Sequence, residues 1–355
     1  MKKTTLLLLF IFLAQAIYAQ QPYYDDVDLT KTGLALRDEL AQKIIETHTN
    51  LLEYSPGVWE ASRITDVDPN DNSKVLLLYG YENGTDSDVT NDLNRDKYQN
   101  GGQVGDWNRE HTYPKSLGNP NLGESGPGSD AHHLRPTDVQ RNGARGNRKF
   151  AAGSGNSGTV GENWYPGDAW KGDVARMLMY MYLHYGERCL PSNVIVGSTN
   201  GTDGNMIDLL LQWNAEDPVS AVEDQRNAYH DSDGQYAQGN RNPFIDNPYL
   251  ATAIWGGPEA EDRWGTLGIA SAKANQFKIY PNPAHNTVNV SSTLPVEEIR
   301  LYDISGRLLE TYHHEKSIDV STLHQGVYVL DIQNKNIIHP KLLCVQRSSS
   351  RPYSI

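Results

Sequence analysis

Two cysteines in 355 residues are too few for a disulfide framework, and Cys189 and Cys344 lie far apart in the chain. The small, loop-stapled secreted scaffold is thereby excluded. An excess of basic charge is also missing. Against 31 Lys and Arg stand 44 Asp and Glu, a formal net charge of −13, so the surface is not coated in non-specific cationic charge. Beyond the first twenty residues no apolar run is long enough to span a bilayer. There is no HExxH signature, no internal repeat and no coiled-coil heptad.

What is present begins with "MKKTTLLLLFIFLAQAIYAQ". Lys2 and Lys3 precede a short apolar core, and Ala19 (or Ala16) offers a small-residue cleavage position, so residues 1–19 read as an export signal. About ten apolar residues are too few for a membrane anchor. The length then suggests two domains.

Leu36, Leu40 and Ile44 recur at four-residue spacing, which predicts an amphipathic helix. "KVLLLYGY" (74–81) reads as a buried strand, 82–106 as loop, 107–113 as a short strand and 153–168 as loop again. "KGDVARMLMYMYLHYGERC" predicts a helix with Val174, Leu178, Met181 and Tyr182 inward and Gly186 as C-cap. Arg176 within it calls for a buried acid, with Glu223 the candidate. "MIDLLLQWN" and "PVSAVEDQRNAYHD" predict two more helices, the latter with Pro218 in its first turn and a Ser220–Glu223 capping box. From about residue 265 alternating β-type runs separated by turn signals predict a small all-β unit. The expected class is α+β: a mostly helical domain over 20–260, a linker at 261–273, a β-sandwich over 274–346 and a tail at 347–355.

The chemistry concentrates in "WNREHTYPKS" (107–116) and "DAHHLRPTDVQRNGARGNRKF" (130–150). From Trp107 to Phe150 seven Lys and Arg face four acids, leaving about +3 inside an acidic chain. That local reversal suits a polyanionic ligand. Phosphodiester hydrolysis requires an activated water and stabilisation of developing charge. Histidine suits the first need because its pKa lies near neutrality. A hard divalent ion held by a carboxylate and an amide oxygen suits the second, and arginine forks grip phosphate. One difficulty is geometric: Glu110 and His111, adjacent on a flat strand, point to opposite faces, and converge only where the strand twists or ends.

These blocks, followed by "KGDVARMLMYMYLHY" and "EDQRNAYHDSDGQYAQGNRNPFID", resemble the bacterial endonuclease I family of exported non-specific nucleases across about residues 25–257. The resemblance implies a ββα-metal (His-Me) finger and metal-dependent cleavage of DNA and RNA that leaves 5′-phosphates. Mg2+ is the implied ion, with Mn2+ or Ca2+ as alternatives. Carried over by position, His111 is the general base, with Glu110 and Asn142 as metal ligands. His132 and His133 are supporting residues that hold the loop. Arg145 and Asn147 match the "N-G-x-R-x-N" segment, and Arg145 and Arg148 are phosphate contacts or helix charges. The interval after His111 lacks the arginine that some members use at the leaving group. Lys115, Arg135 or a metal-bound water is left for that role, and Arg135 has pairing with Asp138 as its other reading.

"YPNP", "DISGR" and "GVY" near the C-terminus resemble the type A sorting domain of the type IX secretion system, which implies that secretion machinery as a partner and a secreted or cell-surface destination. "CVQRSSSRPYSI" extends past the usual end. Nothing in the sequence requires an oligomer, so a monomer is expected. Two other functions stay open: a zinc hydrolase built on His111, His132 and His133, and a surface adhesion protein whose β-unit is the working module.

Overall fold

The computed structural model describes residues 20–265, 277–292, 295–334 and 337–347. The export signal (1–19), most of the expected linker and most of the tail lie outside these. The chain divides between Trp264 and Gly265 into two compact units, each with its own core.

The first unit opens with helix α1 (Gly33–Thr47), whose buried residues are Leu36, Leu40 and Ile44. Helix α2 (Gly57–Thr65) follows and buries Val58, Ala61, Ser62 and Thr65; its short, mixed sequence gave no periodic signal. Strands β1 (Val67–Asp68), β2 (Asp71–Leu76) and β3 (Asn94–Asp96) form a three-stranded antiparallel sheet. The strand expected over 74–81 therefore starts earlier and ends at Leu76. Leu77, Leu78 and Tyr79 are buried beyond it, and the supposed loop 82–106 contains β3.

Next come β4 (Trp107–His111), β5 (Leu134–Asp138) and helix α3 (Val139–Arg145). A hairpin of β6 (Gly158–Val160) and β7 (Asn163–Tyr165) occupies the second supposed loop. Helix α4 (Lys171–Tyr185) is buried almost all round, from Gly172 to Leu183. The expected stripe is thus only part of its buried surface, and α4 is the central helix of the unit. It ends where Gly186 takes φ +52°, a left-handed value that a side chain rarely adopts. Around α4 stand α5 (Asp208–Glu216), α6 (Ala221–His230), α7 (Pro243–Asp246) and α8 (Tyr249–Trp255). The Ser220–Glu223 capping box is formed, but Pro218 precedes the cap instead of sitting in the first turn. Arg176 donates to both carboxylate oxygens of Glu223, at 2.6 and 2.8 Å.

In the second unit β11 (Leu308–His313), β10 (Glu298–Asp303), β13 (Gly326–Asn334) and β14 (Ile337–Val345) form one sheet in that order. The other holds β12 (Ser317–Asp319), β9 (Thr287–Ser292) and β8 (Phe277–Tyr280). Phe277, Val288 and Val290 of one sheet pack with Ile299, Leu301, Leu330 and Leu343 of the other in a single core, as in a β-sandwich. Cys189 and Cys344 are free thiols.

Candidate active site

β4 and β5 form an antiparallel ribbon in which Trp107 faces Asp138, Glu110 faces Arg135 and His111 faces Leu134. The chain passes from β5 straight into α3 because Asp138 caps that helix. One carboxylate oxygen accepts from the backbone N–H groups of Gln140 and Arg141, and the other accepts from Arg95 at 2.7 Å. Asp138 is thus a helix cap paired to Arg95, and not the partner of Arg135. Asn142 ties α3 to β4 by donating through Nδ2 to Asn108 Oδ1 at 2.8 Å, which leaves its own Oδ1 as an acceptor.

The ribbon and α3 open onto a cavity of about 310 Å³ lined by Arg109, Glu110, His111, Lys115, Asn142, Arg145 and Asn147, among others. β4 ends at His111. That ending resolves the geometric difficulty, and Glu110 and His111 reach the same cavity although they are adjacent.

His111 Nε2 lies 3.0 Å from the carbonyl of Gly128. A carbonyl can only accept, so Nε2 carries the proton and Nδ1 keeps the lone pair. The neighbouring His133 holds the same turn: its Nε2 donates to the Pro127 carbonyl at 2.8 Å, and its Nδ1 accepts from the Tyr113 N–H. Burial pushes the His111 imidazole well below its usual pKa, with the neighbouring His133 acting in the same direction. His111 is therefore neutral near pH 7.

Glu110 is buried, with Oε1 accepting from the Tyr79 hydroxyl at 2.8 Å and paired to Arg145 Nη1 at 3.0 Å. Burial raises its pKa, while Arg145 and Tyr79 pull the other way. Tyr79 takes φ +73°, a conformation costly for an aromatic residue and one that clusters at functional sites. Arg145, 1% exposed, is no solvated helix charge. It donates to the carbonyls of His111 and Thr112 at 3.0 and 2.9 Å, locking the end of β4.

Arg109 was not among the expected site residues. It shares a strand face with His111, two positions away. Its guanidinium stacks 3.6 Å from the Tyr54 ring centre and 4.1 Å from that of Trp59, and Nη1 donates to the Tyr54 carbonyl and Ser55 Oγ. Only the "REH" adjacency hinted at it, since both aromatic partners lie some fifty residues upstream. Lys115 reaches the cavity too, paired to Glu124 at 3.1 Å.

Of the other expected residues only Asn147 reaches the cavity. Arg135 is buried away from the cavity lining, paired with Asp66 and with Asp173 at 3.0 Å. It anchors the back of the ribbon and has no route to a leaving group. Arg148 turns onto the last carbonyls of α3, those of Ala144 and Arg145, a helix-end role. Asn147 lines the cavity and donates to Ser116 Oγ at 3.4 Å. His132 is buried between Tyr180 and His230, with Nε2 on the Asn240 carbonyl. Burial pushes the pKa of both His132 and His133 down to about 4. With Nε2 of all three spent on separate carbonyls, His111, His132 and His133 do not converge as zinc ligands.

Residues 32–249 match the family described as Endonuclease I. The chain belongs to that family. Two relatives of this endonuclease I chain carry the name extracellular ribonuclease. The one from Bacillus amyloliquefaciens is 43% identical over 245 residues, 66% of this chain and 78% of the relative. That from Bacillus subtilis (strain 168) is 43% identical over 251 residues, covering 68% and 81%. Residues 278–346 match the secretion system C-terminal sorting domain. This endonuclease I chain is thus an exported nuclease, and no helix among its described residues is long and apolar enough to cross a membrane.

Proposed function

We propose that this nuclease hydrolyses phosphodiesters of RNA and DNA with a water deprotonated by His111, beside one Mg2+ held by Glu110 and Asn142, leaving 5′-phosphates. The observation that carries the proposal is a single cavity lined by an imidazole whose Nε2–H is held by Gly128, by the oxygen-bearing side chains of Glu110 and Asn142, and by three cations. Glu110 presents one oxygen to Tyr79 and Arg145 and keeps Oε2 for another partner. Asn142 keeps Oδ1. This all-oxygen donor pair fits a hard ion better than zinc. Bound there, Mg2+ supplies neutralisation of charge developing on the phosphate.

The chain's own residues do the rest. His111 takes the water proton on Nδ1 while Gly128 holds Nε2–H. Arg145 keeps the carbonyls at the end of β4 fixed, so the base cannot drift. Arg109 stands in for the missing arginine: its Nη1 is spent on Tyr54 and Ser55, its Nε is buried, and Nη2 is the nitrogen left for a phosphate oxygen. The names of the Bacillus relatives favour RNA as a substrate.

The test is parallel digestion of RNA and plasmid DNA in EDTA, Mg2+ and Ca2+ by native protein and His111→Ala. Cleavage by native protein in Mg2+ and none by the variant is expected. Near-normal turnover by His111→Ala removes the residue as the base. Intact nucleic acid in every lane returns the adhesion reading, with the β-unit as the working module.

A further inference from the structure

Asp130 lies outside the cavity and is wholly buried. Its four hydrogen bonds come from neutral donors: the hydroxyls of Tyr180 and Tyr185, each at 2.9 Å, the Gln238 amide at 3.0 Å and the backbone N–H of His132 at 2.8 Å. Among the described residues no Arg or Lys pairs with it. A buried carboxylate without a cation is costly. The one potentially cationic group within ion-pair range is His48, whose Nδ1 lies 3.9 Å from Oδ2.

His48 in turn meets His184, with Nδ1 2.7 Å from His184 Nε2. Thus two imidazole nitrogens and a carboxylate oxygen, from three separate segments, lie within 4.8 Å of one another. Zinc–nitrogen bonds of 2.0–2.1 Å at tetrahedral angles set ligand atoms about 3.3 Å apart, so small side-chain movements bring this set to a metal. The opposite nitrogens, His48 Nε2 and His184 Nδ1, are buried with no hydrogen-bond partner among the described residues. In the metal-free contact one of the two facing nitrogens must donate to the other, so an ion replaces that hydrogen bond. The displaced proton can move to an opposite nitrogen, which no protein contact among the described residues occupies.

We propose that His48, Asp130 and His184 bind a structural Zn2+ ion, distinct from the Glu110–Asn142 site. The nitrogen-rich donors suit zinc and not Mg2+ or Ca2+, and the ion supplies the positive charge that Asp130 lacks. The rival source of that charge is a proton shared between the two imidazoles across their 2.7 Å contact. His48 directly follows α1, and His184 lies in the last turn of α4. Asp130 stands two residues after Gly128, the acceptor that sets the His111 tautomer. Zinc here pins both helix ends to the turn that orients the base.

The experiment uses the full mature protein, stripped with a chelator, exposed to Zn2+ or Co2+ and desalted. One zinc per chain by elemental analysis, visible absorption of tetrahedral Co2+ and a zinc-induced rise in Tm are expected. All three should be lost in His48→Ala and His184→Gln. Glu110→Gln should retain zinc while losing Mg2+-dependent cleavage, which keeps this proposal separable from the catalytic one. A native protein that retains no zinc, or histidine variants that retain as much as native, overturns the assignment. A cluster stabilised by acid without zinc likewise overturns it, in favour of the shared proton.

Discussion

A guanidinium can serve a phosphate only if it is held still and has N–H groups left to give. Arg109 meets both conditions: Tyr54 and Trp59 fix its plane, and only Nη1 is spent. Arg109→Ala should therefore lower kcat on RNA by on the order of 10²-fold, the usual cost of removing one preorganised donor. Arg109→Lys should recover only part, because an ammonium cannot reproduce the stacked fork. Steady-state kinetics decide it, and an unchanged kcat in the alanine variant removes Arg109 from the reaction. Arg135 is held as firmly, and its Nη2 has no hydrogen-bond partner among the described residues, but it is buried away from the cavity lining and cannot meet a phosphate there. Its ion pairs with Asp66 and Asp173 are buried, so Arg135→Ala should destabilise the fold by about 3–5 kcal/mol through uncompensated acids. Urea unfolding measures this, and a loss below about 1 kcal/mol contradicts the anchoring role. The sequence distinguished the two poorly because each arginine's partners lie far off in the chain. Arg135 and Asp66 are 69 residues apart.

At the scale of elements, the ribbon and α3 hold their groups through a turn that carries no chemistry. His111 and His133 donate to the carbonyls of Gly128 and Pro127, which fall in a single 3-10 turn, Gly126–Gly128. A Cβ on Gly128 would stand 2.1 Å from the Gly123 carbonyl oxygen, a backbone atom that cannot simply step aside. Gly128→Ala should cost about 1–3 kcal/mol of stability, as overpacking does. It should also lower kcat at least tenfold at temperatures where the protein stays folded, because the acceptor for Nε2 moves. Normal kcat in a folded variant shows that the carbonyl does not orient the base. Part of this was readable: a strand within 107–113, the capping box of α6 and the buried face of α1 rest on local pattern, whereas the place of Asn142 on a helix came only with the family resemblance, because "NG" by itself reads as a turn. The turn was not, since "GPG" reads as an ordinary loop until two imidazoles from elsewhere close on its carbonyls. α2 escaped for a related reason. Its burial comes from tertiary packing on a short mixed sequence, and no 3.6-residue stripe announces it.

For the whole molecule, the two units divide their labour along the same line that divides their cores. The nuclease core gathers residues from Tyr24 to Trp264, and the sandwich core gathers Phe277 to Val345, with no residue in common. Every residue assigned to the cavity or to the proposed zinc cluster belongs to the first unit. Hydrophobic stabilisation follows the apolar area that a core removes from water, and a core complete in itself does not need its neighbour. A chain ending at residue 265 should therefore unfold cooperatively and cleave RNA with the kcat of the full mature protein, while losing the export that the sorting domain directs. Calorimetry and a turnover assay on the purified fragment check the first part, and fractionation of the producing cells checks the second. A fragment that melts more than about 8 °C lower, or roughly twice the shift expected for 1 kcal/mol in a domain of this size, shows that the sandwich contributes to the nuclease fold. The +3 balance between Trp107 and Phe150 stays with the fragment, so its RNA affinity should weaken with added salt as steeply as that of the full protein. A shallower salt dependence in the fragment shows that the sandwich contributes phosphate contacts of its own.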